Sequence, residues 1–376
     1  SRLCQHVRVT RPAVLFGGPS PEHDISVLTG LQAAAALAKD GVAVTAIYWA
    51  RSGDFFEVDP ALDPPSFVEG VPRGAHRLDL VARPGGGFVP EGGRLGRRSP
   101  LEITAVLNCC HGGPGEDGTL QAALDLAGVR YTGPSAAGAA LGMDKLAFGG
   151  VMRAAGLDVL ARVAFAPGLA PDFDGPYIVK PRFGGSSIGI EITDDLATVA
   201  ALVKTSPHHR AGAVIEPYLA DAVDLNVSVL THPARRLSAI ERPLRGTGDD
   251  RIYSYTDKYL GGQGMASAKR ELPASLPADV ADRIMHAAHV VADVALVRSV
   301  ARIDFLWAGD RVCVNEINTI PGSLSWYFWA AEGLPFGTLL AGLLAEATAG
   351  PTVRYSTDGA DGTALRAAGS IASKLA

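Results

Sequence analysis

Two strand-like segments in the C-terminal third of the chain carry acidic and amide side chains at alternate positions. Residues 301–307 and 312–318 form these segments, and residues 308–311 join them with a glycine and an aspartate in the turn. Alternate side chains of a strand lie on one face, and directly opposed residues of a hairpin lie side by side. A turn centred on Asp310 predicts three opposed pairs on one face, which are Asp304 with Glu316, Arg302 with Asn318, and Leu306 with Val314.

This pairing would place two carboxylates and an amide at one end of the hairpin. Mg²⁺ prefers oxygen ligands of this kind, with substrate phosphates in its remaining positions. The guanidinium of Arg302 could stabilise the charge of a transferring phosphate. A surface hairpin with a solvated ion pair fits the same sequence, and a shift of one residue would move Asp304 and Glu316 to opposite faces.

Two lysines could hold the phosphates of a nucleotide. Lys180 follows an apolar strand and precedes the loop 184–187, where a lysine and backbone N–H groups can bind phosphate oxygens together. Lys145 lies where a helix is expected to begin. An ordinary turn and a solvated lysine are the plain alternatives, because a glycine-rich loop alone is weak evidence. The chain has no GxxxxGK[ST] motif and no clear GxGxxG after a strand, which disfavours the two common nucleotide-binding folds.

The elements that must position these residues follow from hydrophobic patterns. Strands over 13–16 and 42–49, with a helix over 26–40 between them, predict a parallel α/β unit that binds ligands at the carboxyl ends of its strands. Residues 58–100, rich in Pro, Gly and Arg, are expected to form a loop-rich insertion with an edge hairpin. The sequence further predicts strands over 105–109, 177–181, 212–217 and 224–230, helices over 119–127, 135–142, 144–155 and 277–297, and a mobile loop over 245–265.

Composition narrows the possible classes of function. A chain of 376 residues that is 47% hydrophobic can bury a sizeable core, and a formal charge of -5 without a long basic run argues against nucleic acid as the main partner. The sequence shows no run as long as a membrane span and no signal pattern, so a cytoplasmic protein without a membrane partner is expected. The cysteines lack metal-site or disulfide spacing and are expected to be reduced core residues; they are Cys4, Cys109, Cys110 and Cys313.

Taken in order, the motifs resemble the D-alanine–D-alanine ligase family within the ATP-grasp superfamily. The resemblance runs from about residue 13 to residue 344 and is broken by the 58–100 stretch. Any one motif could arise by chance, whereas the ordered series is specific. The motifs are Phe16–Ser26, His111–Thr119, Met143–Lys145, Val179–Pro181, Gly185–Gly189, Asp257–Tyr259, Arg302–Asp304 and Asn315–Gly322.

The resemblance implies an α/β ATP-grasp fold with three subdomains. Residues 1–133 would form an N-terminal parallel, Rossmann-like α/β unit that binds substrate. Two α+β units, 134–220 and 221–350, would enclose ATP, and the second would carry the metal site. A polar tail, 351–376, would follow, and the protein would be a homodimer.

The resemblance also implies a nucleotide site. ATP and two Mg²⁺ ions, which Mn²⁺ can replace, would be the cofactors. Lys145 and Lys180 would contact the phosphates, and Asp304, Glu316 and Asn318 would hold the metal ions. The remaining contacts would come from Glu216, Tyr218 and Leu219 at the adenine and from Asp224 at the ribose.

The implied reaction activates an amino-acid carboxylate as an acyl phosphate and couples it to the amine of a second amino acid. The 245–265 loop would close and exclude water, because hydrolysis of the acyl phosphate wastes ATP. Glu22 would pair with the ammonium of the first amino acid, and Ser186 and Tyr259 would join Glu22 in a hydrogen-bonded set. Arg302 and the Gly322 N–H would stabilise the tetrahedral intermediate. Lys258 would face a substrate carboxylate or phosphate, and His111 would lie nearby.

One position departs from the family pattern. Members that make D-alanyl-D-alanine usually carry a Ser-Leu pair that holds the acceptor carboxylate, and the aligned pair is Tyr327-Phe328. A bulky aromatic pair would fill or reshape that subsite, which favours a specialised amino-acid or dipeptide ligase. Alternatively, the hydroxyl of Tyr327 or Ser325 replaces the family serine.

Three other functions remain open at this point. The chain could be a true D-alanine–D-alanine ligase of cell-wall synthesis, or an ATP-grasp enzyme that cyclises or amidates a single amino-acid substrate. It could also be a non-catalytic ATP-binding module, although such a module need not retain Arg302.

Overall fold

A computed structural model of the chain describes residues 11–92, 99–166, 168, 170–244, 269–353, 355–368 and 370–371. The loop predicted over 245–265 lies outside these residues, and so do the candidate residues Lys258 and Tyr259 and the first cysteine, Cys4.

The first sheet has six strands around a fully buried centre. Residues Ala13 to Phe16 are inaccessible to solvent, as is typical of parallel strands covered on both faces. The strands are β1 (Arg11–Gly17), β2 (Thr45–Trp49), β3 (Phe55–Val58), β4 (His76–Val81), β5 (Gly87–Pro90) and β6 (Ile103–Asn108), and the helix α1 (His23–Lys39) follows β1.

The strand order of this sheet is β5-β4-β3-β2-β1-β6. Strand β1 pairs in parallel with β2 and β6, whereas β3, β4 and β5 continue the sheet in antiparallel pairs. The predicted parallel unit is thus a mixed sheet, because short links between consecutive strands permit only antiparallel pairing. The β4–β5 hairpin confirms the predicted edge hairpin within residues 58–100, which also hold a 3-10 turn, Pro64–Phe67.

The second sheet is antiparallel, with the order β7-β10-β8-β9. Two helices before it begin with side-chain caps, because Ser135 and Asp144 each accept hydrogen bonds from the first-turn N–H groups. The elements are α2 (Thr119–Ala127), α3 (Ala136–Met143), α4 (Lys145–Ala154), β7 (Val163–Ala164), β8 (Tyr177–Pro181), β9 (Glu191–Thr193), α5 (Leu196–Thr205) and β10 (Ala213–Pro217), with 3-10 turns at Gly113–Gly115 and Pro207–His209.

The third sheet is also antiparallel, in the order β12-β11-β15-β16, and a two-stranded ribbon, β13–β14, lies beside it. Its helix packs one face on the sheet, with Ile284, Ala288 and Val291 inaccessible. The elements are β11 (Val223–Leu230), β12 (Arg236–Leu237), β13 (Arg242–Pro243), β14 (Arg270–Glu271), α6 (Ala278–Val294), β15 (Val300–Ala308) and β16 (Arg311–Asn318).

After the third sheet the chain returns to the first. A 3-10 turn at Gly322–Ser325 leads into α7 (Trp326–Ala331) and α8 (Phe336–Ala349), and α9 (Thr363–Ala367) follows. Phe328 and Trp329 of α7 share one buried core with Phe16 and Tyr48 of the first sheet. Helix α7 therefore fixes the first sheet relative to the third, whose residues Leu230 and Val300 belong to the same core.

Among the described residues no single helix is long and apolar enough to cross a membrane. The pair Gly322–Ala331 and Phe336–Ala349 reaches that length and composition only across a bend of 120°.

Candidate active site

The β15–β16 hairpin places the predicted acidic face as the sequence suggests. Arg302 pairs with Asn318 and Asp304 pairs with Glu316. The third predicted pair is wrong, because Leu306 lies opposite Cys313 and not Val314. At the step from Asp304 to Phe305 a bulge inserts one extra residue on β16, and this shifts the register between the turn and the Asp304–Glu316 pair.

The acidic face is a connected set of side chains. Arg302 donates two hydrogen bonds to Asp304, from Nε to Oδ1 and from Nη2 to Oδ2, both 2.7 Å long. Asn318 donates to Oδ2 of the same carboxylate at 3.1 Å. The described residues contain no group of three or more His, Cys, Asp or Glu side chains that could hold a metal alone. Two carboxylates and an amide fit a hard cation that takes its other ligands from phosphate oxygens.

A buried ion-pair network connects the second sheet to this hairpin. Glu216 is fully buried and accepts hydrogen bonds from Lys180 Nζ, at 2.7 Å, and from Arg162 Nε. Burial alone would raise the pKa of Glu216, but the charges of Lys180 and Arg162 outweigh it and hold this pKa below its ordinary value. Both cations also donate to Asn315 of β16. Arg162 Nη2 donates to its backbone carbonyl oxygen at 3.0 Å, and Lys180 Nζ donates to its side-chain oxygen Oδ1 at 3.3 Å.

Lys145 approaches the hairpin from the start of α4. Its Nζ lies 3.8 Å from Oε2 of Glu316 and donates to the carbonyl oxygen of Gly184. Burial lowers the pKa of Lys145, although the charge of Glu316 partly offsets this. Asp144 fixes the lysine by capping α4 and by accepting two hydrogen bonds from Arg182, at 2.8 and 2.6 Å.

A cavity between the second and third sheets brings most of the predicted nucleotide and metal residues together. Arg302 lines this cavity too, so the oxyanion candidate faces the same space. The predicted residues that line it are Lys180, Glu216, Tyr218, Leu219, Asp224, Asp304 and Glu316, whereas Lys145 and Asn318 line an adjoining cavity with Glu22.

The Glu22–Ser186 pair is also present. Ser186 Oγ donates to Glu22 Oε1, and both residues are less than a tenth exposed. Ser186 and Ser187 have φ angles of 53° and 59°, so the loop adopts the left-handed conformation that non-glycine residues rarely take. The pair closes the gap between the start of α1 and the loop after β8.

His111 acts on the loop that carries Gly322. Its Nδ1 lies 2.7 Å from the carbonyl oxygen of Ile320, so Nδ1 carries the proton and Nε2 accepts from the Thr29 hydroxyl at 2.8 Å. Ser323 N–H in turn donates to Thr29 Oγ1 at 3.2 Å. Both ring nitrogens are thereby used within the protein, and His111 is buried at 3% exposure. His111 therefore supports the Gly322 loop, and its predicted place near the substrate stays a prediction.

Glu116 supports the same loop from the other side. Its carboxylate accepts from the N–H groups of Ile320 and Gly112, at 2.8 and 2.9 Å. Burial and the nearby charge of Glu22 raise the pKa of Glu116 to about 7. Glu116 lies within the motif His111–Thr119, but the sequence does not indicate which groups it contacts.

Acidification should destabilise the fold through His111. Burial lowers the pKa of this imidazole from 6.5 to about 4, so the folded state keeps it neutral while the unfolded chain protonates. Stability from this group is present above pH 6.5 and is lost as the pH falls toward 4. We expect the free energy of unfolding in urea to fall by on the order of 2 kcal/mol between pH 7.5 and pH 5 through this group.

The change His111→Gln should remove this contribution, so acidification should destabilise the variant less than the wild type; Glu116, whose raised pKa acts in the opposite direction, contributes equally in both proteins. His76→Gln, at an exposed histidine of β4, should leave the pH dependence of the wild type in place. An equal acid slope in wild type and His111→Gln would contradict the neutral assignment.

Of the aromatic pair, only Tyr327 lines the cavity. Its hydroxyl donates to Glu241 Oε2 at 3.3 Å, and its ring stacks on Phe328 with centroids 4.6 Å apart. Phe328 is 1% exposed and belongs to the core shared with the first sheet, so it does not line this cavity, and its role toward the substrate stays a prediction. Ser325, the alternative hydroxyl donor, is fully buried and does not line the cavity.

Several residues of the site carry no motif that would reveal them. They lie far from the motifs in the chain and meet them only through sheet pairing or side-chain reach. These residues are Arg162, Asn226, Glu241 and Arg270.

The sequence of this chain matches two family models and is similar to known ligases. The family model described as "D-ala D-ala ligase N-terminus" matches residues 11–134, and the one described as "D-ala D-ala ligase C-terminus" matches residues 151–345. The D-alanine--D-alanine ligase of Bradyrhizobium sp. (strain ORS 278) is 32% identical, over 90% of this chain and 95% of the relative. That of Mycobacterium sp. (strain KMS) is also 32% identical, over 90% and 96%.

Solved structures show the same fold. D-alanyl-alanine synthetase A from Vibrio cholerae superposes with a TM-score of 0.73 at 20% identity, covering 91% of this chain and 99% of that one. The VanG D-Ala:D-Ser ligase from Enterococcus faecalis gives 0.71 at 23% identity, covering 90% and 99%.

Proposed function

Because this chain belongs to the D-alanine–D-alanine ligase family of ATP-grasp carboxylate–amine ligases, we propose that it joins two amino acids through an acyl phosphate at an altered acceptor site. The proposal has two parts. The first assigns the residues that carry the ligation, and the second states that the acceptor subsite differs from that of members that add D-alanine.

The meeting of cations and carboxylates across one cavity supports the first part most strongly. Lys145 comes from α4 and Lys180 from β8, and both reach the face of β16 that carries Glu316 and Asn315. A surface hairpin with a solvated ion pair would not be contacted by buried lysines from a helix and from another sheet, since burying a charge is costly without partners. The arrangement suits a polyphosphate held between the sheets.

Asp304, Glu316 and Asn318 would hold magnesium there. Bound magnesium would neutralise phosphate charge that otherwise repels an attacking carboxylate. Lys145 and Lys180 would bind phosphate oxygens, while Tyr218, Leu219 and Asp224 would contact the base and ribose at the other end of the cavity.

The amino acids would bind between this face and the Glu22–Ser186 pair. Glu22 would hold the ammonium of the donor, whose carboxylate attacks the γ-phosphorus as ADP leaves. The amine of the acceptor then attacks the acyl carbon, and phosphate leaves once the amine has lost its proton. Arg302 and the N–H of Gly322 would stabilise the oxyanion formed at that carbon.

The second part rests on Tyr327. A tyrosine ring stands where D-alanine-adding members have a small hydroxyl residue, and its own hydroxyl proton points to Glu241. The ring would narrow the acceptor end, and a hydroxyl that donates to Glu241 would not reproduce the serine contact. This favours a specialised amino-acid or dipeptide ligase over a true D-alanine–D-alanine ligase.

ADP release across pairs of amino acids tests the proposal. We expect Mg²⁺-dependent turnover that EDTA abolishes, and a kcat/KM for D-alanine alone at least about tenfold below that of the best pair, because pocket shape discriminates by this order. Saturation by D-alanine alone at ordinary concentrations would contradict the altered acceptor site. Mass spectrometry of the product separates a dipeptide from a cyclised or amidated single substrate, and absence of divalent-dependent ATP binding would contradict the ligase assignment.

The homodimer, the cytoplasmic location and the subdomain boundaries at 133, 220 and 350 stay predictions.

A further inference from the structure

Three consecutive residues after Gly322 adopt a backbone conformation that non-glycine residues avoid. The φ angles of Ser323, Leu324 and Ser325 are 46°, 51° and 54°, all in the left-handed region. In this region Cβ comes close to a carbonyl oxygen, so successive residues of this kind are rare and cost free energy. The buried hydroxyl of Ser325 also has no hydrogen-bond partner within the part of the chain that the structure describes. Such a left-handed turn persists only where the surrounding structure holds it, and strained backbone of this kind is concentrated at functional sites.

A hydroxyl of helix α1 holds the first residue of the left-handed turn. The N–H of Ser323 donates to Thr29 Oγ1 at 3.2 Å, and Thr29 is 1% exposed. Because Thr29 donates its own proton to Nε2 of His111, at 2.8 Å, its oxygen is left to accept from Ser323. A second contact with the same helix, from Ser323 Oγ to Gln32 Oε1 at 2.9 Å, is exposed, so water competes with it. The buried Thr29 contact is therefore the stronger support.

The backbone just before the turn is held by the loop that follows β6. The carbonyl oxygen of Ile320 accepts from Nδ1 of His111 at 2.7 Å, and its N–H donates to Glu116 at 2.8 Å. Both polar groups of this peptide backbone are therefore fixed. Gly322 lies between two held positions, Ile320 on one side and Ser323 on the other, so the direction of its N–H depends on both.

Helix α1 also carries the residue proposed to bind the donor. Glu22 immediately precedes the first residue of α1, and Thr29 lies seven residues further along the chain. At the rise of an α-helix this separation is about two turns, or roughly 10 Å. A helix is stiff over this length. One rigid element therefore connects the proposed ammonium site to the turn that carries the oxyanion donor.

We propose that Thr29 is a positioning residue, which holds the left-handed turn through Ser323 and thereby directs the N–H of Gly322 toward the oxyanion of the tetrahedral intermediate. The role of Gly322 rests on the proposed function. Without the Thr29 hydroxyl, the turn loses the hydrogen bond that offsets its backbone strain, and the N–H of Gly322 is displaced. This displacement affects the transition state, where the oxyanion develops, more than it affects the bound substrates.

Steady-state kinetics of Thr29→Val test this role, because valine keeps the shape of the side chain and removes the hydroxyl. The substrates are MgATP and the pair of amino acids with the highest kcat/KM in the ADP-release assay. We expect kcat to fall about 10–100-fold, since a displacement of about 1 Å has an effect of this order. The KM values should stay within about threefold of the wild type. Thr29→Ser should recover kcat to within about threefold, because serine retains the hydroxyl.

Ser26→Ala is the matched control on the same helix. Ser26 is fully buried, and its hydroxyl accepts from the N–H of Gly17 at 2.6 Å and donates to the carbonyl oxygen of Cys109 at 2.8 Å. These contacts join α1 to the first sheet and not to the left-handed turn. The control should therefore lower the free energy of unfolding, as Thr29→Val does, but leave kcat within about threefold.

Amide hydrogen exchange over residues 320–326 measures the turn without turnover. In Thr29→Val the N–H of Ser323 loses its acceptor, so we expect exchange in this segment to be about tenfold faster than in the wild type. Ser26→Ala should leave exchange in this segment unchanged. A positioning role thus predicts a local change in exchange together with a change in kcat.

A normal kcat in Thr29→Val would overturn the role of Thr29, and so would an equal loss of kcat in Thr29→Val and Ser26→Ala. Unchanged exchange of the turn in Thr29→Val would overturn it as well. A wild type without turnover would instead contradict the proposed function, and the exchange measurement would still decide whether Thr29 holds the turn.

Discussion

Replacement of Arg302 by alanine is expected to lower kcat by at least about 10²–10³-fold, which is the usual loss for one oxyanion donor. The reason lies in the position of the guanidinium on the face of β15, beside the proposed metal ligands and 9% exposed. Burial by itself would lower its pKa, but the charge and hydrogen bonds of Asp304 raise this pKa well above the ordinary value. The side chain therefore stays a cation when negative charge develops on the substrate.

The affinity for an ATP analogue with Mg²⁺ should change little in this variant. Lys145 and Lys180, which come from other elements, would still contact the phosphates. Arg311→Ala is the matched control, since Arg311 lies on the same hairpin in an exposed pair with Asp158 and should leave kcat within about twofold. Near-normal turnover by Arg302→Ala would remove this residue from the mechanism, and Arg302→Lys tests whether charge alone suffices.

Local patterns in the sequence located most of the elements. The helix Thr119–Ala127 and the strand Tyr177–Pro181 have the bounds that the sequence predicts, because buried runs and glycine stops mark them plainly. Helix α1 begins at His23, three residues before the predicted start at residue 26, since its first turn carries polar groups that hide the hydrophobic period. Pairings between distant segments, such as β11 with β15, have no comparable local pattern.

The pairing of Asp304 with Glu316 was predicted correctly for a reason that the sequence does not display. A tight turn at Gly309-Asp310 places Ala308 opposite Arg311, and that register alone would not pair Asp304 with Glu316. The bulge on β16 adds the residue that restores the pairing, and it also lets Asn315 face Lys180. A bulge depends on both strands and on the neighbouring sheet, so the hairpin sequence alone could not place it.

The charged residues that complete the site were missed for the same kind of reason. Arg162 lies in a segment without a motif, and its three sets of contacts, to Glu216, to the carbonyl of Lys145 and to Asn315, exist only once two sheets meet. The core shared by α7 and the first sheet is equally non-local. Sequence motifs identified groups that would touch substrate, whereas the groups that hold them in place came from the fold.

The change Glu216→Gln should then destabilise the fold by on the order of 3–5 kcal/mol, because it leaves two buried cations without their counter-charge. The side chains of Arg162 and Lys180 are 3% and 6% exposed, so water cannot replace the carboxylate. Urea unfolding at neutral pH measures the loss, and Glu57→Gln, in a partly exposed pair with Arg11 at 3.9 Å, is the control with an expected cost below about 1 kcal/mol.

A double variant identifies the source of this cost. If electrostatic repulsion between the buried cations dominates, the double variant Glu216→Gln with Lys180→Met should lose less free energy of unfolding than the two single variants lose together. The reason is that the second change removes one of the unpaired charges. Additive losses would instead indicate that Glu216 acts through packing. A cost for Glu216→Gln as small as that of Glu57→Gln would contradict the network altogether, and with it the view that the two lysines and the hairpin are held ready for a polyphosphate before it binds.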